Sequence, residues 1–549
     1  MKIVIGVGVV LVVLVGVVLS LPFLIDLNKY QDQYRPLIEE ALNRKVTIGD
    51  IRLTIWPRLG ARVAGLTVAE DPAFGSGPFT SLSSVDVGVK LMPLLSGKVE
   101  VEEITLRDPL ITVIKNKKGV LNASTLGRKG VAAPETPSRA PVPSPDGPLK
   151  ILALLAVDRV SIAGGKITYR DESQAKSVEY QLQDLELLLR SVHLGESPTL
   201  HLGTLVQPLN LPVSLDGTFG PLKESADLDA INFRLALGTT EFAITGKTGG
   251  QQASLTLTSP AINTANLPLT LPLKKPVEAK NFKLTADSKG AQLTLRDLSF
   301  DLFDGKLATQ AALQSGSEAP PFNATLSMKG IQLAPAIAVV TETPVSVTGT
   351  AGLDVSLNGQ GFSMVDLTKT LEGTGHVGVK DGKIDGMNLL QEAVSILKVV
   401  GISVGDAKAT AFSTIETDLG ISKGVVTLSK LLMDSHDFQA TGGGTIGFDH
   451  ALNMTLNLNL SESLSQQLAA SSPVARLALK EGRLTLPLLI GGTLEEPTYG
   501  LDMKGLTGKV QEQIKQKAQE AIGGLLKGTT KPKDLEQEGK QLLKGLFGR

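Results

Sequence analysis

The residues of this sequence that could perform chemistry are few and far apart. Cysteine is absent, which excludes thiol catalysis, cysteine-based zinc sites and disulfides. Two stretches place a histidine beside aspartates, residues 434–437 (DSHD) and 449–450 (DH). Neither offers paired ligands at helical spacing, so a solvated polar cluster is favoured over a metal or acid–base site. We therefore predict a protein without catalytic residues, metal or cofactor. The five histidines are His193, His201, His376, His436 and His450.

Two glycine-rich stretches have the spacing of a dinucleotide-binding turn, residues 373–378 (GTGHVG) and 442–447 (GGGTIG). That function requires a strand before the glycines and a helix after them, whose amino terminus receives the phosphate. Both stretches instead run into strand-like sequence, which favours tight turns or bulges. The sequence also contains no Walker A motif. Nucleotide binding is therefore not expected.

Composition narrows the class of protein further. The formal net charge is -1, so the chain as a whole lacks the basic character of a nucleic-acid binder. Aromatic residues make up 4% of the chain, while aliphatic residues, threonine, serine and the 57 glycines are abundant. Such a composition is typical of many short strands and turns. We expect a mainly β fold and no nucleic-acid partner.

Residues 3–25 form an apolar run of 23 residues without a charge. A helix of that length rises about 35 Å, enough to cross a bilayer core of roughly 30 Å. A cleavable signal peptide would have a shorter apolar core and a small-x-small cleavage site, and the following residues offer none. We predict a retained single-pass anchor. The residues after the run are more basic than those before it, but long domains translocate largely regardless of flanking charge. The start of the chain looks like an export signal that is not cut, so the amino terminus is expected inside and the body outside.

The rest of the chain alternates between strand-like and other patterns. A short helix is expected at 28–42, and strand, glycine turn and strand are expected at 163–169, 303–309, 380–386, 422–428 and 480–486. A basic amphipathic tail either lies on an anionic membrane or caps the sheet. The predicted regions are an anchor (1–27), a helix plus β region (28–130), a Pro-rich linker (131–149), a central β region (150–360), a carboxyl-terminal β region (361–503) containing a helix at 387–400, and the helical tail (504–549).

The clearest strand is residues 451–460 (ALNMTLNLNL), where apolar and polar residues alternate without a break. Alternation places one set on each face of a sheet. The apolar face is ordinary core or a surface that binds lipid. As candidate lipid-binding residues we select Leu452, Met454, Leu456, Leu458 and Leu460.

Several blocks of the sequence resemble the AsmA family. They are residues 35–74, 91–122, 373–394, 410–449 and 489–502, in the order of that family and behind a membrane anchor. The stretch 150–360 shares only the style of its strands. The resemblance implies a Gram-negative envelope protein, anchored in the inner membrane with a periplasmic body, that takes part in outer-membrane biogenesis. It offers no catalytic residues, and larger relatives are thought to move phospholipid along a curled apolar β-groove.

We therefore expect an elongated, mostly antiparallel β body with a few short helices, folded either as a curled groove or as a sandwich. The expected partners are membrane phospholipids and other envelope or outer-membrane assembly proteins. A scaffold for outer-membrane proteins with a closed β core is the alternative function. An envelope hydrolase ranks last because the sequence contains no nucleophile constellation.

Overall fold

The alternating residues form long antiparallel ladders. A computed structural model describes residues 27–55, 58–127, 157–173, 177–225, 227–267, 273–340, 347–385, 389–390, 409–471, 473–494 and 496–502. This part of the chain is mainly β, as predicted, with few short helices. It divides into two compact units, the first built mostly from residues 1–262 and the second mostly from residues 291–549.

In the first unit, the sheet begins with a short meander and continues with longer strands. Its strands are β1 (Val46–Thr47), β2 (Ile51–Thr54), β3 (Gly60–Ala69), β4 (Pro78–Val89), β5 (Val101–Arg107), β6 (Leu110–Lys115), β7 (Val157–Asp171), β8 (Val178–Val192), β9 (Thr199–Gln207), β10 (Leu211–Gly220), β11 (Leu228–Leu237), β12 (Thr240–Gly249) and β13 (Gln252–Asn263).

Pairing in the first unit is antiparallel except at one place. Strands β5 and β6 follow each other end to end, and both pair with β4 on one side and with β7 on the other. The pairing with β7 is parallel, so the chain must cross over between β6 and β7. The predicted Pro-rich linker, 131–149, falls in this crossover and lies outside the described residues.

The second unit is an antiparallel meander in which each strand from β15 to β25 pairs with the next. Its strands are β14 (Glu278–Lys289), β15 (Gln292–Leu302), β16 (Gly305–Gln314), β17 (Pro321–Gln332), β18 (Val347–Gln360), β19 (Glu372–Asp385), β20 (Ala409–Ser422), β21 (Val425–Asp434), β22 (Phe438–Gly447), β23 (Leu452–Leu460), β24 (Thr485–Gly492) and β25 (Pro497–Leu501).

Among the described residues the helices are short, and most lie in connections between strands. The α-helices are α1 (Gln31–Leu42), α2 (Leu91–Leu95), α3 (Leu333–Val340), α4 (Met364–Thr370), α5 (Glu462–Ser471) and α6 (Pro473–Ala478). The 3-10 turns are η1 (Leu27–Tyr30), η2 (Asn122–Thr125) and η3 (Thr264–Asn266). The expected helix at 28–42 is confirmed as η1 followed by α1.

Some of the predicted elements lie wholly or mostly outside the residues that the structure describes. The apolar run 3–25 and the tail 504–549 lie outside the described residues, as does the helix at 387–400 apart from Leu389 and Leu390. Within the described part, no helix combines the length and the apolar character that a membrane crossing needs.

The five stretches predicted as strand, glycine turn and strand adopt two different structures: some form tight turns and others continue as strands. Residues 303–304 and 423–424 form two-residue hairpin turns in which both residues have positive φ, and Glu481 and Gly482 form a third tight turn. The prediction of turns was wrong at 163–169, which lies inside β7, and at 380–385, which lies inside β19. Residue 386 is outside the described residues. In β7 and β19, Gly164 and Asp381 adopt positive φ within a continuing strand, because a bulge uses the same left-handed conformation as a turn.

A buried polar cluster fixes the base of α1 to the first sheet. Asn122 is fully buried; its side-chain oxygen accepts a hydrogen bond of 2.9 Å from the Ile114 N–H, and its amide donates to the Thr112 carbonyl at 2.8 Å. The same amide donates to the Glu70 carboxylate. Arg44, also buried, donates to the Asn122 carbonyl. Asn122 therefore satisfies several buried groups at once.

Replacing Asn122 with alanine should destabilise the first unit by about 3 kcal/mol, because the Ile114 N–H and the Glu70 carboxylate lose their partner while buried. The thermal unfolding midpoint should fall, and hydrogen exchange at the Ile114 amide should speed up. Asn232→Ala, at an exposed position of β11, is the matched control and should change neither quantity. Equal behaviour of the two variants would contradict the role assigned to Asn122.

The polar face of the first sheet is held together by a three-residue ion cluster. Asp86 on β4 accepts hydrogen bonds from Arg62 on β3 and from Arg107 on β5. Burial by itself would raise the pKa of Asp86, but the two guanidinium groups outweigh it, and the pKa lies below its usual value of 3.8. The ionised carboxylate is therefore more favourable in the folded chain than in the unfolded one.

Since the folded pKa of Asp86 is depressed, its contribution to stability is present above pH 3.8 and is lost as the pH falls through the folded pKa. Asp86→Asn should lower the unfolding free energy at pH 7 by about 1 kcal/mol and reduce its loss between neutral and strongly acidic pH. Urea unfolding across that pH range measures both effects. Asp229→Asn, where the carboxylate is 57% exposed, is the control. An unchanged pH dependence in Asp86→Asn would refute the assignment.

Candidate functional site

In each unit the register aligns apolar side chains from successive strands into continuous rows. In the first unit a row of directly paired residues crosses ten strands without a polar residue. We call it the first-unit row. It consists of Ile51, Val63, Val85, Leu106, Ile162, Leu187, Leu202, Leu215, Leu235 and Phe242.

The second unit has a corresponding row across eight strands, which we call the second-unit row. It consists of Leu326, Val355, Gly375, Leu419, Leu428, Gly444, Met454 and Ile490. Leu326, Leu419, Leu428 and Met454 are only half-buried. Within each unit the strands belong to one sheet, and no second sheet appears among the described residues. A long apolar surface is therefore partly open.

The five residues selected from the sequence divide between two environments. Leu456, Leu458 and Leu460 are 4%, 0% and 0% exposed, in a packed cluster with Phe438 and with Leu468 of α5. Leu452 and Met454 are half-buried, and Met454 lies in the second-unit row. The structure thus brings all five onto one face of β23, but it places three of them in a closed core. Their binding of lipid stays a prediction.

Sequence reasoning did not find the rest of these rows. Each strand shows the alternation, but the order in which strands pair and their register appear only in the folded sheet. Leu326 and Leu419, for example, are 93 positions apart in the chain and lie in one row. The available signal was the alternation in every strand, which predicts a face and not a continuous surface.

The two glycine-rich stretches belong to the same face. Gly375 in β19 and Gly444 in β22 are members of the second-unit row. A Cβ on Gly375 would collide with the Asp354 carbonyl and lie 3.0 Å from the Val355 Cα. A Cβ on Gly444 would lie 2.5 Å from the Met454 Cα. These glycines let adjacent strands approach closely and leave the row locally free of side chains.

The opposite face is polar and places histidines beside carboxylates. His376 Nδ1 lies 3.0 Å from Asp418 Oδ1, and the Lys430 ammonium lies 2.9 Å from Asp418 Oδ2. The hydrogen bonds from Lys430 and His376 hold the pKa of Asp418 below its usual value. His193 and His201 likewise pair with carboxylates. No group of three or more potential metal ligands occurs within the part of the chain that the structure describes.

A sequence model of the AsmA family matches residues 1–271 and 274–431 of this chain. The match covers more than half of the sequence. The chain belongs to the AsmA family. No curated protein and no solved structure matches it.

Membership of the AsmA family confirms the resemblance drawn from the sequence and extends it. The match includes most of the central stretch 150–360, where only the style of the strands was similar, and ends at residue 431. Of the blocks that suggested the family, 489–502 lies beyond the matched residues. The family is associated with the envelope and with outer-membrane biogenesis, and it is β-rich, as this chain is.

The glycine pattern of β19 allows a matched test of strand packing. Gly375→Ala should destabilise the second unit by roughly 1–3 kcal/mol, because the new methyl group overlaps the backbone of β18. Gly378→Ala, in the same strand and the same motif, meets no atom closer than 3.9 Å and should change stability little. Thermal unfolding of the two variants makes the comparison. A Gly375→Ala variant as stable as Gly378→Ala would show that the close approach is unimportant.

Proposed function

We propose that this AsmA-family protein binds phospholipid acyl chains along the apolar rows of its two units and performs no chemical reaction. The observation that carries the proposal is the unbroken first-unit row together with the half-buried second-unit row. An ordinary core would bury such residues completely, as it does Leu458 and Leu460. A surface that binds acyl chains must leave them accessible.

The dimensions and energetics of the rows suit an acyl chain. Strands lie about 4.8 Å apart, so a row across ten strands extends for roughly 43 Å. One leaflet of the hydrocarbon core is only roughly 15 Å thick. Each methylene that leaves water for the row gains about 0.8 kcal/mol. Because neighbouring positions in the row are alike, a chain can move along it without a large change in free energy and without a reaction.

The proposed location follows from the apolar run and the family. We place residues 3–25 across the inner membrane of a Gram-negative bacterium, with the amino terminus in the cytoplasm and the body in the periplasm. The proposed partners are membrane phospholipids and, with less structural support, other envelope or outer-membrane assembly proteins. Nucleic acid is not among them, since the net charge is -1.

The alternative function is a scaffold for the assembly of outer-membrane proteins, with a closed β core. The cluster around Leu456, Leu458 and Leu460 is such a core. For this reason Leu456 is a poor site for a functional test, because a charge there would be buried among packed side chains. Leu326, half-buried in the second-unit row, is a better site.

A photo-crosslinking side chain at position 326 of the full-length, membrane-expressed protein should yield phospholipid adducts detectable by mass spectrometry. The row there is apolar and partly open. The matched control is a crosslinker at position 323, three residues away on the same strand. Asn323 is exposed and pairs with Asn358 on the polar ladder, so it should yield few adducts.

A charged variant completes the test. Leu326→Glu should remove the lipid adducts from a crosslinker at position 419, which lies in the same row, while Asn323→Glu should leave them unchanged. Circular dichroism and thermal unfolding show whether each variant is folded. If the folded wild-type protein gives no adducts from position 326, or equal adducts from 326 and 323, the lipid proposal fails and the scaffold function replaces it.

A further inference from the structure

The connection between β4 and β5 exposes a group of apolar side chains that the sheet does not use. Met92 and Val99 are 76% and 71% exposed, and Leu91 is 48% exposed. Single apolar residues on a surface are ordinary, but three within nine residues form a local patch. We call Leu91, Met92 and Val99 the α2 patch.

The α2 patch is held in a defined conformation. The Lys90 N–H donates to the Glu100 carbonyl at 2.9 Å, which closes the connection at its base. Inside it, the Lys98 N–H donates to the Pro93 carbonyl at 2.9 Å, and the Ser96 hydroxyl donates to the same carbonyl at 2.9 Å. The patch is therefore presented by a hydrogen-bonded turn and not by a loose loop.

Charged residues lie directly behind the patch. Lys90 pairs with Asp158 at 3.0 Å, and Arg58 pairs with Glu102 at 3.2 Å. Lys98, within the turn itself, is exposed. The apolar α2 patch thus has an exposed lysine next to it and ion pairs farther from its exposed side chains. This order suits a bilayer surface, where apolar side chains insert and lysines contact anionic headgroups.

The described chain begins near the strands that carry the patch. The described chain begins at Leu27, and the Asn28 side chain accepts a hydrogen bond of 2.8 Å from the Ile51 N–H. Ile51 lies three residues before Thr54, which pairs with Gly60, and Gly60 pairs with Gly88 at the end of β4. The α2 patch follows that strand end. Asn28 is therefore held beside β2, two strands away from the strand that leads into the patch.

We propose that the α2 patch is an interfacial membrane contact, which inserts Leu91, Met92 and Val99 into the phospholipid surface and seats this end of the first sheet on the bilayer. The inference rests on the proposed membrane anchor. It identifies a second attachment point, so that the sheet is oriented relative to the membrane as well as tethered to it. Amphipathic elements of this kind lie roughly 5–10 Å deep in the headgroup region.

The absence of cysteine allows a single reporter to be introduced. The full-length protein with Met92→Cys, carrying an environment-sensitive nitrobenzoxadiazole label, is reconstituted into vesicles of phosphatidylethanolamine and phosphatidylglycerol. We expect blue-shifted emission that is quenched by lipids bearing a nitroxide near the headgroup end of the acyl chain. Val99→Cys is a second reporter and should behave in the same way.

Leu209→Cys is the matched control. Leu209 is 45% exposed in the turn between β9 and β10, at the opposite strand ends of the same sheet. Its label should keep the emission of a water-exposed dye and should not be quenched.

Two results would overturn the inference while the anchor stands. The first is water-like emission from position 92 in protein that floats with the vesicles. The second is blue-shifted emission that the nitroxide lipids do not quench, which would mean that another part of the chain covers the patch. If the unlabelled protein does not float with vesicles after extraction at high salt, the proposed anchor fails and the contact fails with it.

Discussion

The structure depends on the register of its β-ladders. Successive side chains on a strand point to opposite faces, so a slip of one residue between neighbours would move apolar side chains onto the polar face. In the first unit, ten strands keep the residues of the first-unit row, which begins at Ile51 and ends at Phe242, on one face. The register survives irregularities because the bulges add a residue without exchanging the faces. Between β15 and β16, for example, Leu295 and Leu298 pair with Ala311 and Thr309 on one face.

The bulges rely on backbone conformations that few residues adopt easily. Asp184 and Lys430 have φ of 51° and 52° at register shifts of β8 and β21. Aspartate tolerates the left-handed region because its short polar side chain can bond locally, whereas lysine has no such advantage. Each bulge increases the local twist of its strand.

The two faces of the strands have different properties. Ion clusters such as Arg62, Asp86 and Arg107 tie adjacent strands together on the polar face and keep that face hydrated. The apolar face is closed where α5 packs on Leu458 and Leu460, and it is partly open where Leu326 and Leu419 lie. Closed packing stabilises the fold, and the partly open stretch is the surface that we propose binds lipid.

Local pattern in the sequence determined the strand class, the position of β23, the helix at the start of the first unit and the hairpin turns at 303–304 and 423–424. These features depend on residues within a few positions of one another, so short-range alternation and turn chemistry suffice to predict them. The family resemblance likewise came from local blocks of sequence. The glycine-rich stretches of β19 and β22 lie within strands, in agreement with the strand-like sequence around them.

Only the tertiary structure decided which apolar residues share a surface and which of them are covered. Residues 163–169 and 303–309 contain similar glycine motifs, yet the first lies inside a strand and the second forms a hairpin, because the partner strands differ. Leu452 and Leu460 look equivalent in the alternating pattern, but α5 covers one end of their strand and leaves the other half-buried. Pairing between strands far apart in the chain and packing of helices on the sheet are long-range interactions, which local periodicity does not encode.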